Sequence, residues 1–327
     1  MSSTTTIIRK PFLNEAQAYG LLANAKEQLL YCGIYVLPLH YLSSTRSLPL
    51  RSRDDPAVIR ARVRAVCLST TACSLITLII LRRSPMVTGH RLNPGVEFLT
   101  DGSQPALYLM GYWPPGLLET FKALLLTALL FAGPIYEGLL VEGWGGQWLK
   151  LVPMRLLWED WPTWRNIVAG PISEECLFRS AAIPLLLHSD IYLSHIIFRS
   201  PLVFGIAHLH HFYELRISHP HTPLRVAMAR SAFQLLYTWV FGIYITFIFL
   251  RTGSLMAVIC VHMTCNTLGL PRLWGAVDPH WTRGGSHDLA ARAMWTTFYY
   301  VLLVGGFLLW YLHLFTLTQS SKALVEF

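Results

Sequence analysis

An all-helical bundle embedded in a membrane is the architecture that the sequence predicts. Three observations lead to the fold class. Hydrophobic residues make up 53% of the 327 positions and charged residues only 13%, where an ordinary soluble domain carries about 25% charge. Mean hydropathy is +0.43. The apolar residues are gathered into runs of about twenty, the length that crosses a bilayer core. A soluble enzyme, a disordered chain and a fibrous protein are excluded by the same numbers.

Backbone groups in lipid must hydrogen-bond within their own segment, so each run reads as a helix. About eight transmembrane helices are expected. The first, Ala16 to Leu42, is weakened by Lys26 and Glu27. Val63 to Leu81 is the second. Leu117 to Leu140 is the third, with Lys122 and Glu137 inside it. The fourth and fifth are Ile167 to Leu187 and Tyr192 to His211. Ala229 to Leu250, Ser254 to Leu270 and Met294 to Phe315 complete the set. No internal repeat or low-complexity linker divides the chain, so one domain over 1–327 is expected. Met1 to Phe12 is polar, without the apolar stretch of a cleavable signal, and the first span is expected to direct its own insertion.

The net charge of +8 is spread over short connections and is not gathered into a basic patch with stacking aromatics, which argues against nucleic acid. Its densest group is Arg46, Arg51, Arg53, Arg60, Arg62 and Arg64. In a short loop of a membrane protein this reads as a cytosolic topology signal, with anionic lipid headgroups as added partners. Cys32, Cys67, Cys73, Cys176, Cys260 and Cys265 form no CxxC pair, so neither a disulfide framework nor a thiolate zinc site is expected.

Ionisable residues at membrane depth are costly and mark function. Glu174 and Glu175 follow Gly170-Pro171-Ile172-Ser173, where Pro171 suits a first helical turn, Ser173 suits a cap, and carboxylates suit the positive end of the dipole. Glu175 and Arg179 are four apart and can pair on one face. Glu174 points about 100° away with no local cation. On the next run Phe204 and His208 share a face, and Gly205 and Ala207 permit close helix approach. His210 and His211 suit a helix end. On the seventh run His262 and Asn266 share a stripe. They suit either interhelical hydrogen bonding or donation to a developing oxyanion.

Three separate structural coincidences are a poorer account of these helices than one shared polar site. Glu and two His would also suit zinc, although HExxH is absent. Cys176, flanked by carboxylates, is a poor thiolate nucleophile. A transporter or channel lining is the competing class, without an inverted repeat to support it.

EExxxR at Glu174 to Arg179, FxxxH at Phe204 to His208 and HxxxN at His262 to Asn266, in that order, resemble the signature of the CAAX-protease and bacteriocin-processing superfamily. Further stretches are similar to its eukaryotic prenyl endopeptidase branch: Trp164-Arg165-Asn166, Pro201 to His211, Gln234 with Tyr237-Thr238, Phe241-Gly242, Arg251-Thr252-Gly253 and His262 to Pro271. Asp54 to Ile59 adds to them. The resemblance places a catalytic core at about 164–271. It implies hydrolysis of farnesylated or geranylgeranylated CaaX proteins, such as Ras-type small GTPases, after the prenylated cysteine, in the endoplasmic reticulum membrane and from the cytosolic side. No cofactor and no metal are implied. Carried over, Glu174 and His208 polarise a water, while His262 and Asn266 hold the oxyanion. Glu175 with Arg179 orients the helix and assists proton transfer, and Phe204 packs beside His208.

Overall fold

The computed structural model describes residues 15–48, 51–83, 105–150, 152–189, 191–279, 281 and 289–327. Helix is the extended regular element throughout these residues, and one isolated bridge joins Leu48 and Arg51. The main helices are α1 (Glu15–Tyr41), α2 (Pro56–Arg83), α3 (Leu117–Leu130), α4 (161–188), α5 (Ser200–Ala207), α6 (Leu224–Thr252), α7 (Leu255–Leu268) and α8 (Leu289–Thr318). The chain is an all-α membrane protein. Length and apolar content single out three of these helices as spans: α2, α6 and α8. A fourth follows if α3 and the bent segment after it count as one.

Several runs expected to be straight are broken, and proline chemistry explains the breaks. The third run bends by 82° between Leu117–Leu130 and Ala132–Val141. Gly133-Pro134 follow the bend at once, and proline has no N–H to continue the hydrogen-bond ladder. The fifth run divides into Leu193–Phe198 and α5, with Pro201 in the first turn of the second piece. The Phe198 carbonyl at that break accepts the Trp239 indole N–H at 2.8 Å, so a side chain on α6 satisfies a freed backbone group.

The expectation of a helix opening at Gly170 is corrected. Helical structure begins at Trp161, capped by Asp160, whose carboxylate accepts from the Thr163 N–H. Pro171 therefore lies inside the run, and Ser173 is no cap. The wide π-type turn Arg165–Ala169 directly precedes Gly170-Pro171, and its i→i+5 bonding accommodates a residue that cannot donate. A second wide turn, Cys176–Ala181, follows the glutamates.

α4 sits between two apolar clusters. On one side Ile183 and Leu187 pack with Ile245 and Phe249 of α6 and Val258 and Val261 of α7. On the other, Leu177 and Ala181 meet Tyr31, Tyr35 and Leu39 of α1 and Cys73 of α2. Because lipid tails are as apolar as these side chains, hydrogen bonds add the specificity. The Thr77 hydroxyl donates to the Ala181 carbonyl at 3.0 Å, and Ser180 donates to Met110 at 2.7 Å. α4 is thereby clamped from every side, and its middle carries the acidic pair.

Candidate active site

The EExxxR pair expected from the spacing is present: Arg179 Nη1 donates to Glu175 Oε1 at 3.2 Å, with the two side chains 1% and 0% exposed. A guanidinium only donates, so Glu175 Oε1 accepts from it. What the spacing did not disclose is a second partner. His262 Nδ1, on α7, lies 2.6 Å from the same Glu175 oxygen. An ionised carboxylate only accepts, so Nδ1 carries the proton and the imidazole is fixed in one orientation. Glu175 thus orients His262 as well as its own helix. Its other oxygen, Oε2, is buried without a hydrogen-bond partner among the described residues.

With Nδ1 committed, His262 Nε2 points to the other glutamate and stands 3.8 Å from Glu174 Oε2. The side chain of Glu174 is 21% exposed and that of His262 only 5%. Glu174 is therefore the carboxylate of the pair that an incoming molecule can reach.

Phe204 links the histidines of α5 and α7. Its ring lies edge-on to His208 at 4.7 Å and to His262 at 6.4 Å between centroids, and the Arg179 guanidinium sits 4.6 Å over its face. This is a cation–π contact away from water, where such contacts are strongest. His208 Nδ1 donates to the Phe204 carbonyl at 2.8 Å, which leaves Nε2 as the ring nitrogen with a free lone pair. A Cβ at Gly242 would stand 2.7 Å from the Pro201 Cβ. Glycine there lets α6 approach α5 closely enough for Arg179 Nη2 to reach the Gly242 carbonyl at 3.4 Å.

Asn266, one turn beyond His262, is exposed, and its Nδ2 donates to the Asn166 carbonyl at 2.9 Å. One of its two amide protons is used; the second is open to a ligand. The sequence reading gave no role to three contributors. Tyr35 of α1 bonds Ser173 at 2.9 Å, and the Phe241 ring lies 4.6 Å from that of His262. Asn166 receives Asn266. All join positions far apart in the chain, so no local pattern announced them.

Among the described residues, ligand atoms that converge within 4.8 Å belong to a different trio: His40, His210 and Glu214. Glu214 is already bound by Arg62 at 2.5 Å and Arg53 at 2.9 Å. Burial works to raise its carboxyl, but the His211 hydrogen bond and the two guanidiniums outweigh that and hold it below the ordinary carboxylate range. A dication there would have to displace charges that already neutralise the site.

Residues 156–268 match the family described as Type II CAAX prenyl endopeptidase Rce1-like. The chain is 33% identical over 282 residues to the "Probable CAAX prenyl protease 2" of Schizosaccharomyces pombe, covering 86% of this chain and 89% of the relative. It is 34% identical over 238 residues to the human CAAX prenyl protease 2, covering 69% and 66%. To the Saccharomyces cerevisiae protein of that name it is 27% identical over 299 residues, covering 85% and 90%. No solved structure matches the chain. Similarity of this degree, across nearly the whole length of a relative and centred on the helices that carry the glutamates and histidines, shows that the chain belongs to the CAAX prenyl protease 2 family.

Proposed function

We propose that this protein is an intramembrane endopeptidase that removes the aaX tripeptide from farnesylated or geranylgeranylated CaaX proteins, Ras-type small GTPases among them. It cuts after the prenylated cysteine, in the endoplasmic reticulum membrane, with the peptide entering from the cytosol. One observation carries the reading: Glu175 is held between Arg179 and His262, so that Glu174, the reachable carboxylate, stands beside Nε2 of an oriented imidazole.

In this mechanism Glu174 and Nε2 of His208 draw a proton from water, which attacks the scissile carbonyl, and the same proton is passed to the leaving nitrogen as the C–N bond breaks. Charge developing on the carbonyl oxygen is met by His262 and Asn266. His262 donates from Nε2 as an imidazolium that is in place before the water attacks, with Glu175 as its counterion. Two carboxylates, one guanidinium and one imidazolium then leave the cluster neutral, which suits its depth in the membrane. No metal and no covalent intermediate takes part. The prenyl chain stays in lipid because each buried CH₂ contributes about 0.8 kcal/mol, so it enters laterally between helices.

Membranes containing the protein are expected to cleave a farnesylated CaaX peptide and spare its unprenylated twin, with a chelator making no difference. Cleavage that stops with chelator and returns with zinc would overturn the metal-free mechanism. Equal cleavage of the twins would overturn the lipid-dependent one. In the same assay Asn266→Ala is expected to lose about 10²- to 10³-fold in kcat, the usual effect of one oxyanion donor, whereas Cys176→Ala retains substantial activity.

A further inference from the structure

A peptidase that cuts three residues from a chain terminus brings a free α-carboxylate within about 10 Å of its reacting water. The structure has a group suited to that task. Beside the site, the connection between α1 and α2 meets the start of α4 and the segment after α5, bringing together Arg53, Arg62, Arg165, Asp54 and Glu214. Three guanidiniums against two carboxylates leave one positive charge in excess.

The hydrogen bonds identify which guanidinium carries that excess. Arg62 is committed to Glu214, the Thr45 carbonyl and Ser47. Arg53 is committed to Glu214 and His211. Arg165, whose side chain is 15% exposed, has Nε on Asn166 at 3.0 Å and Nη1 on Asp54 at 2.9 Å and on the Arg53 carbonyl at 3.2 Å. Its Nη2 has no partner among the described residues. Asp54 is 53% exposed, and a pair so open to water is weak. Arg62 and Arg53 both bind the buried Glu214, whereas Arg165 faces only the exposed Asp54 among the described residues, a counterion that an incoming carboxylate can rival.

Its position relative to the chemistry is set by two neighbours. Asn166, next in the chain, gives its carbonyl to Asn266. The Cβ position of Gly170 lies 3.1 Å from the Arg165 carbonyl oxygen and 3.9 Å from Glu174 Oε1, because side chains on a helix lean back toward its N-terminus. Arg165 lies nine positions before Glu174, about 13 Å of helix rise, comparable with the about 10 Å that three extended residues span.

We propose that Arg165 binds the free α-carboxylate of the substrate's last residue and so measures the cut from the chain end. This rests on the CaaX-protease reading and adds the group that recognises the X residue's terminus. The test uses full-length protein in liposomes and two farnesylated CaaX peptides, one with a free C-terminal acid and one with a carboxamide. Wild type is expected to favour the acid by about 10- to 100-fold in kcat/KM, the range of a charge-assisted hydrogen bond. In Arg165→Gln that preference falls toward unity. Arg165→Lys, which keeps the charge without the paired donors, falls between, and it keeps the idea testable if the glutamine variant fails to accumulate. A wild-type preference near unity, or one that Arg165→Gln leaves intact, overturns the carboxylate anchor while cleavage itself stands. Wild type that cleaves neither peptide overturns the proposed function and the anchor together.

Discussion

Glu174→Ala and Glu174→Gln are each expected to lower cleavage of a farnesylated CaaX peptide by about 10²- to 10⁴-fold, the contribution of a general base, while the protein still accumulates in membranes. Both halves follow from geometry. Glu174 is the part-exposed member of the acidic pair, and its ion-pair partner among the described residues is His262 at 3.8 Å, which keeps Glu175 when the Glu174 charge is removed. The glutamine variant keeps the shape and hydrogen-bonding capacity of the side chain and loses only its basicity. It therefore separates proton transfer from packing. Activity within a few-fold of wild type in Glu174→Gln would remove Glu174 from the proton-transfer step.

Arg179→Met is expected to act differently, by unfolding the protein. Arg179 is the largest of the fully buried side chains, and it is bound to Glu175, the Gly242 carbonyl and the face of Phe204. Its loss leaves the Glu175 carboxylate uncompensated in the interior, which costs about 3 to 5 kcal/mol. The thermal transition in detergent should fall steeply and the membrane level with it. Removing both charges, in Glu175→Gln with Arg179→Met, should recover most of the stability but not the activity, because His262 is left without its acceptor. A single variant that melts like wild type would show that the pair contributes little to the fold.

Part of this arrangement was legible in the sequence, for a simple reason. Residues four apart share a helix face, so Glu175 with Arg179, Phe204 with His208 and His262 with Asn266 could be read as local pairs. The apolar runs likewise located helices α2, α6 and α8. What spacing cannot disclose is which faces meet. Glu175 reaches His262 across 87 positions, and Tyr35 reaches Ser173 across 138. Expecting Glu174 to be the glutamate with no cation nearby was sound for its own helix, and the nearby imidazole came from another. The breaks near Phe131 and Arg199 had visible causes in Pro134 and Pro201, yet hydropathy alone does not distinguish a bent run from a straight one. The wide turns of α4 left no compositional mark at all, since Arg165 to Ala169 would suit an ordinary turn equally well.

Those two wide turns act as phase shims. Each holds one residue more than its neighbours, and one residue is worth about 100° of rotation. Trimming a single position from 165–169 would preserve every apolar character in the stretch. It would nevertheless swing Asn166 and Arg165 around the axis, parting the first from Asn266 and aiming the second elsewhere. Chain length across this segment is thus as much a part of the catalytic apparatus as any side chain in it, and natural variation there should favour exchange of residues over their gain or loss.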